Sequence, residues 1–380
     1  MSGGVDSSVS ALLMQSAGFD CEAIMLRLFD ANETVADRGA GGGLAFTGVA
    51  PENLAGAGAD TRDDSIFASN IPVIPTDAGA KIVADLLGIP FNILDLRHIF
   101  RERVVEPFIN SYLDGSTPNP CIQCNRYIKF GALLDYANAH DFDYVATGHY
   151  ARVDQDLPTG RFLLKKGADS DKDQSYMLYS LTQTQLSRVK FPLGGRLKRD
   201  VRKIAESRGF PNAHSRESQD ICFIPDGDYA GFIAWSTGKN LEDGPIADVS
   251  GAIVGRHKGA VRYTVGQRKG LGLAMPEPMY VFAKSMAENK VFVGHEKLLY
   301  SKSLIAENIN LISVPRLEGA IRATAKTRYR QSEQPATIEQ ISDGEIRVEF
   351  DAPQRAVTCG QAVVFYDGDT VLGGGTINKS

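Results

Sequence analysis

The chain opens on Ser2-Gly3-Gly4-Val5-Asp6-Ser7-Ser8, and this stretch constrains the fold more than any other. Glycines and hydroxyls run straight into an amphipathic segment: Val9, Leu12 and Leu13 share one face, and Gly18 stands where a helix would stop. A glycine loop that opens a helix offers backbone N–H groups and the positive end of a dipole to an anion. Glycine lets the backbone approach a phosphate closely, and the serine hydroxyls add donors. A Walker loop would need Gly-x-x-x-x-Gly-Lys-Ser/Thr, with the lysine on the outer phosphates. No lysine follows here, and Asp6 stands where a metal ion can be held. The plain alternative is an ordinary glycine turn before a helix. A loop of this kind normally follows a buried strand, so a first strand is expected to be missing.

Helix and strand then alternate. Ala23–Leu28 reads as a buried strand, and residues 31–75, rich in Gly, Ala and Asp, lose periodicity and read as an inserted loop. Thr76 or Asp77 can cap a helix whose Ile82, Val83, Leu86 and Leu87 share a face, with Gly88 after its end. A strand over Phe91–Leu96, a helix over 98–113, a loop over 114–124, a helix from Asn125 to His140 and a strand over Tyr144–Thr147 follow. That order implies a doubly wound parallel sheet of the α/β class, with ligands at the carboxyl ends of its strands. The opening loop and Gly148-His149 both fall at such ends. From 214 to 276 short segments are broken by glycine, and from 277 the chain reads all-β, with turn pairs Asp343-Gly344 and Asp367-Gly368. The expected domains are therefore 1–213, a small central domain over 214–276, and a C-terminal β-barrel over 277–380.

The 380 residues are 43% apolar and 23% charged with a net charge of −5, enough for several packed cores. No apolar run is long enough to cross a bilayer, and a cytoplasmic location with no membrane partner is expected. Basic residues gather at 188–203, 256–269 and 316–330, a pattern that fits either a phosphate-backbone footprint or solvated faces. The five cysteines do not form a secreted disulfide framework. Cys121 and Cys124 form a C-x-x-C in the loop after Thr117-Pro118-Asn119-Pro120, and Cys124 stands at the expected helix start, where the dipole favours a thiolate. Cys222 lies in Ser218–Ile224, an apolar, strand-like stretch that follows a basic region. A structural zinc site, inert buried thiols and a pair of catalytic thiols brought together by the fold all remain open. Cys21 and Cys359 read as inert.

The opening loop resembles the pyrophosphate loop of ATP pyrophosphatases. Together with Thr117–Phe130, Ala146–Arg152, Lys172–Leu178, Glu217–Ile224, Tyr263–Gly272, Lys326–Gln331, Gly360-Gln361 and Leu372–Gly375, it makes the chain similar to the tRNA-specific 2-thiouridylase (MnmA/TrmU) family over nearly its whole length, the 31–75 region excepted. The resemblance implies an adenine nucleotide hydrolase-like domain and a reaction in which ATP, with Mg2+, adenylates the C2 oxygen of the wobble uridine of tRNA. A persulfide sulfur then displaces AMP. Position in the family pattern implies that Cys222 carries the persulfide and that Cys124 is the nucleophile, with a Cys124–Cys222 disulfide closing the cycle. It implies ATP binding by Ser2, Gly3, Gly4, Val5, Asp6, Ser7, Ser8, Val9, Met25 and Gly148. Asn119, Pro120 and Cys121 would touch the target base, and His149, Lys172, Asp173, Gln174, Arg328, Tyr329 and Gln361 would contact tRNA. No resident metal is assigned to protein ligands.

Many members of the family carry Asp where this chain has Cys121, so Cys121 receives no catalytic role and can form an off-pathway disulfide with Cys124. The family's usual cysteine-containing segment before Thr76 is absent. A base must leave the stack to be modified, and Tyr329 between Arg328 and Arg330 offers it a stacking surface. Standing alone, Lys172-Asp173-Gln174 would read as a surface turn and His149 as a core histidine. A cysteine desulfurase or sulfur-relay protein is the expected donor, and the chain is expected to be a monomer. The rival readings are an amide or C–N ligase, a tRNA 4-thiouridine synthase, an inactive tRNA-binding protein and a zinc-stabilised binding module.

Overall fold

The computed structural model describes residues 1–29, 76–215 and 220–379. The expected insertion at 31–75 and Glu217–Gln219 of the Cys222 motif lie outside the described residues.

Helix Val5–Ser16 starts directly after Gly4, and Gly18 follows its end in the left-handed region, as its sequence position predicts. Val5, Val9 and Leu12 are buried against Val83 of helix Thr76–Leu87 and against Val201 and Ala205 of helix Lys198–Ser207. Strand Ala23–Arg27 pairs in parallel with Phe91–Asp95, and Val145–Ala146 with Val189–Lys190. The helical crossovers between parallel strands make this an α/β domain, and the two parallel pairs are not hydrogen-bonded to each other.

Two long helical stretches, 97–113 and 120–139, each contain a π-helical stretch, Arg101–Val105 and Cys124–Ala132. The second starts at Pro120, ahead of the expected Asn125. Proline is pre-set for the first helical position, and Asn119 caps it by accepting a hydrogen bond from the Cys121 backbone N–H at 3.2 Å. Cys124 consequently lies beyond the first turn. A hairpin, Ala151–Gln155 with Phe162–Lys166, then reaches across to the last barrel strand through Lys165 and Thr370.

The central sheet has the order Ile253–His257, Gly244–Ala247, Lys290–Gly294, Tyr280–Ser285. Ile246, Val281, Val291 and Val293 share one core with Tyr263 and Leu271. The boundary expected at 276/277 thus falls inside this sheet, because two strands beyond it complete the core.

Six antiparallel strands, Tyr300–Leu311, Glu345–Arg355, Gln334–Ser342, Ala320–Lys326, Ala362–Asp367 and Thr370–Lys379, form the C-terminal barrel. Pairing of the first with the last, from Ile305↔Lys379 to Leu311↔Gly373, closes it and removes its edges. Gly373 permits the closure: a Cβ there would lie 2.9 Å from Leu311 Cα and would crowd the Asn310 carbonyl oxygen of the first strand. Among the described residues, no helix is long and apolar enough to cross a membrane.

Candidate active site

Gly4 is the N-cap of helix Val5–Ser16 (φ −85°, ψ 158°), and no side chain caps the first turn. Its N–H groups are thus left to an external acceptor, with the helix dipole behind them. The serines shape the loop: Ser7 Oγ and Ser8 Oγ donate to the Gly4 carbonyl at 3.0 and 3.2 Å, and the Ser2 N–H donates to Ser7 Oγ at 3.1 Å. Gly148 closes one wall. A Cβ at this position would lie 2.8 Å from Asp6 Cβ and 3.0 Å from the Ser7 nitrogen. Gly148→Ala is therefore expected to push the loop aside, lowering stability by about 1–3 kcal/mol and weakening ATP binding at least roughly tenfold. Thermal denaturation with and without ATP checks this, and an unchanged ATP-induced shift would refute it.

Asp6 does not face open space. Lys198 Nζ donates to both of its oxygens, at 2.7 and 2.6 Å, and Tyr150 Oη donates to Oδ1 at 2.8 Å. In this structure its carboxylate is paired with protein partners. Among the described residues, no group of three or more His, Cys, Asp or Glu side chains forms a metal site. The lysine lacking from the local motif is supplied from far along the chain: Lys198 is only 8% exposed and opens a helix whose first N–H donates to Asp169 Oδ2 at 2.8 Å. Asn212, likewise buried, donates from Nδ2 to the Gly3 carbonyl at 2.9 Å and to Ser8 Oγ at 2.8 Å. Lys198 had read as part of a basic surface run, Tyr150 carried no role, and Asn212 gave no local signal. Met25 lies half-buried in strand Ala23–Arg27, and Val9 is fully buried behind the loop.

The second group of residues surrounds the thiols. All five cysteines are free; Cys124 is buried, while Cys121 and Cys222 are exposed. Cys222 feels both Cys124 and Cys121, and Cys124 feels Cys121. Burial raises the Cys124 thiol above its usual value, with Lys129 opposing and Cys121 adding to the rise. The Cys222 thiol is pushed up to about 12, chiefly by burial of the sulfur and then by Cys124 and Cys121. For Cys124 the direction runs opposite to the expected acidic thiol: the helix starts at Pro120, so this thiol stands beyond the first turn, and burial raises it. Alkylation of Cys222 by iodoacetamide is expected to be slow at pH 7 and to accelerate about tenfold per pH unit through pH 10, following the thiolate fraction. A plateau near pH 8.5 would contradict it.

The residues expected to contact tRNA divide. His149 is 6% exposed, packed between Phe130 and Phe191, and held well below its usual pKa first by burial and then by Lys129. It is an interior neutral imidazole in this structure, not a surface contact. Asp173 accepts from the Gly167 and Ser175 N–H groups at 2.9 and 3.1 Å and from Ser175 Oγ at 2.8 Å. Gln174 clasps Tyr150, accepting its N–H at 3.0 Å through Oε1 and donating its own N–H to the Tyr150 carbonyl at 2.8 Å. Gln174 thus braces Tyr150, whose Oη holds Asp6 of the opening loop, while Asp173 ties Gly167 to Ser175; Lys172, Asp173 and Gln174 are all half-buried.

Arg328 donates to the Ala356 carbonyl at 2.8 Å, beside half-buried Tyr329 and Gln361. This barrel edge meets the cysteine loop, since the Thr117 N–H donates to the Cys359 carbonyl at 2.9 Å. A Cβ on Gly360 would lie 2.9 Å from Ser116 Cβ. Asn119 donates to Met177 Sδ at 3.4 Å, and Pro120 is buried. Of the basic stretches, Arg188 is turned onto the Phe142 and Asp143 carbonyls and Arg322 onto Asp351, while Arg199, Lys203 and Arg330 remain exposed.

Comparison with known proteins gives three domain matches. A family described as "tRNA methyl transferase HUP domain" matches residues 1–44 and 63–226, "tRNA methyl transferase PRC-barrel domain" matches 230–295, and "Aminomethyltransferase beta-barrel domain" matches 301–377. The chain is 45% identical over 379 residues to the tRNA-specific 2-thiouridylase MnmA 1 of Caldanaerobacter subterraneus subsp. tengcongensis, covering 100% of this chain and 96% of that protein. It is 45% identical over 379 residues to the corresponding MnmA of Moorella thermoacetica, covering 100% of this chain and 98% of that one. For the MnmA of Clostridioides difficile the identity is 42% over 380 residues, covering 100% of this chain and 97% of the relative.

Proposed function

The chain belongs to the tRNA-specific 2-thiouridylase family, and on that premise we propose how its own residues perform tRNA 2-thiolation. As a tRNA-uridine 2-sulfurtransferase of this family it acts on tRNA and uses ATP. One observation carries the residue-level reading: a helix-N-terminal phosphate cradle and a cluster of three thiols stand in one domain, linked through the adjacent residues Gly148 and His149.

The residues present fit the nucleotide. The uncapped first turn after Gly4 and the space kept open by Gly148 suit a pyrophosphate, with the hydroxyls of Ser2, Ser7 and Ser8 holding the loop in shape through Ser7 Oγ and the Gly4 carbonyl. Asp6 and Lys198 neutralise each other beneath the loop, so the cradle presents N–H dipoles and no bare carboxylate to the phosphates. Magnesium enters on ATP; Asp6 is already paired, and no step is assigned to the ion. The C2 oxygen of the wobble uridine attacks the α-phosphorus, and pyrophosphate leaves. The terminal sulfur of a Cys222 persulfide then attacks C2, the C2–O bond breaks and AMP departs. The Cys124 thiolate attacks Cys222 Sγ, the S–S bond cleaves, and 2-thiouridine and a Cys124–Cys222 disulfide remain for a thiol reductant to reopen. Exposure of Cys222 suits loading by a separate persulfide donor, a cysteine desulfurase or sulfur-relay protein. Asn119, Pro120 and Cys121 would border the extruded base, while Arg328, Tyr329 and Gln361 would border the anticodon arm from the barrel. The protein acts as a cytoplasmic monomer in this reading.

Nucleoside mass spectrometry of unmodified tRNA incubated with the protein, Mg-ATP and a persulfide donor tests it. Formation of 2-thiouridine at the wobble position is expected. Only 4-thiouridine, or release of AMP and pyrophosphate with no thionucleoside under a competent donor, would overturn it.

A further inference from the structure

Lys129 takes no part in the chemistry above, yet it lies beside His149 and acts on all three thiols of the cluster. Its ammonium Nζ lies 3.4 Å from His149 Nε2. An ammonium has donors only, so Nε2 accepts and the single imidazole proton is on Nδ1, donated to Thr147 Oγ1 at 2.7 Å. The ring is thereby fixed at both ends, with Phe130 and Phe191 packed on it.

The helix explains why Lys129 reaches the thiols. Residues Cys124–Ala132 are π-helical, with an i→i+5 ladder that sets residue 129 over residue 124. In a regular α-helix position 129 would turn away from 124, since α-helical neighbours are three and four apart. Lys129 is the cation that opposes the burial of Cys121, Cys124 and Cys222 alike. Among the described residues, the other titratable groups around the pocket are Asp220, whose charge works against the Cys121 thiolate, and Tyr112 and Tyr229; Tyr229 donates to Asp220.

We propose that Lys129 is the electrostatic partner of the attacking thiolate, with His149 as the residue that positions it, a role resting on the reading that Cys124 and Cys222 carry the sulfur. A buried thiol must lose its proton before it can attack. A fixed ammonium above it stabilises the anion without taking the proton, which goes to solvent.

The test is cysteine-by-cysteine alkylation of the full chain between pH 7 and 10, read by peptide mass spectrometry without tRNA or ATP. Lys129→Met should move the profiles of Cys121 and Cys124 upward, with alkylation at pH 8 roughly tenfold slower, the fold-change of one pKa unit. Lys129→Arg, which keeps the charge, should recover most of the rate. An unchanged profile in a Lys129→Met protein that melts like the parent would overturn the proposal. An unchanged profile with a raised KM for ATP would overturn it too, placing the ammonium on the nucleotide. Because thiol acidity is read without turnover, failure here is distinct from failure of the sulfur relay, which would appear as 2-thiouridine formation by a Cys222→Ser protein.

Discussion

Cys222→Ser is expected to abolish 2-thiouridine formation, a fall on the order of a thousandfold or more, while tRNA-dependent exchange of pyrophosphate into ATP continues. Serine matches the thiol in shape but cannot hold a persulfide, so adenylation survives and sulfur delivery does not. The substitution should not disturb folding: Cys222 is exposed, and the packing beside it rests on Phe223 and Ile224. The two half-reactions are read separately, by labelled pyrophosphate exchange and by nucleoside mass spectrometry. Retained thiolation would show that another sulfur carries the load. Loss of both half-reactions would mean that Cys222 also shapes the adenylation site, and the assignment would fail in that form as well.

The second large effect is expected at Lys198→Met. The substitution keeps the length of the side chain and removes the ammonium that neutralises Asp6. Asp6 then presents an unbalanced negative charge beneath the phosphate loop. At roughly 4–5 Å and an effective dielectric near 20, its repulsion of a triphosphate is on the order of 3 kcal/mol, which corresponds to a rise of about a hundredfold in the KM for ATP. Stability should fall less, by about 2 kcal/mol. That is below the roughly 3–5 kcal/mol of a fully buried broken pair, because the Asp6 side chain keeps 32% exposure. Lys198→Met combined with Asp6→Asn should recover much of the ATP affinity, since both charges are then absent. Pyrophosphate exchange as a function of ATP concentration decides the matter. An unchanged KM in Lys198→Met would show that the pair is purely structural.

Both expectations depend on contacts between distant parts of the chain, and so do the places where reading the sequence fell short. The acidity expected of Cys124 followed from a helix start placed at Asn125. Moving that start to Pro120 by the Asn119 cap puts the thiol beyond the reach of the dipole and leaves burial to decide. Asp173 and Gln174 stand in a motif that points to tRNA, yet their hydrogen bonds go to Ser175, Gly167 and Tyr150. Gln174 supports the opening loop from behind, through Tyr150 and Asp6. The central domain extends past its expected boundary because a glycine-broken texture marks turns, whereas membership of a sheet is decided by the partner strand.

By itself the sequence determined the glycine loop and the helix it opens, the parallel α/β alternation, the all-β C-terminal part and the family. Each of these rests on backbone torsion, short-range periodicity or the order of motifs, which are properties of neighbouring residues. Tertiary structure alone decided that Lys198, 192 positions from Asp6, supplies the charge absent from the loop. It also decided that His149 is neutral and interior, and that three thiols gather beside one ammonium. Charge neutralisation and desolvation depend on what lies within a few ångströms in space, and no local pattern along the chain encodes that.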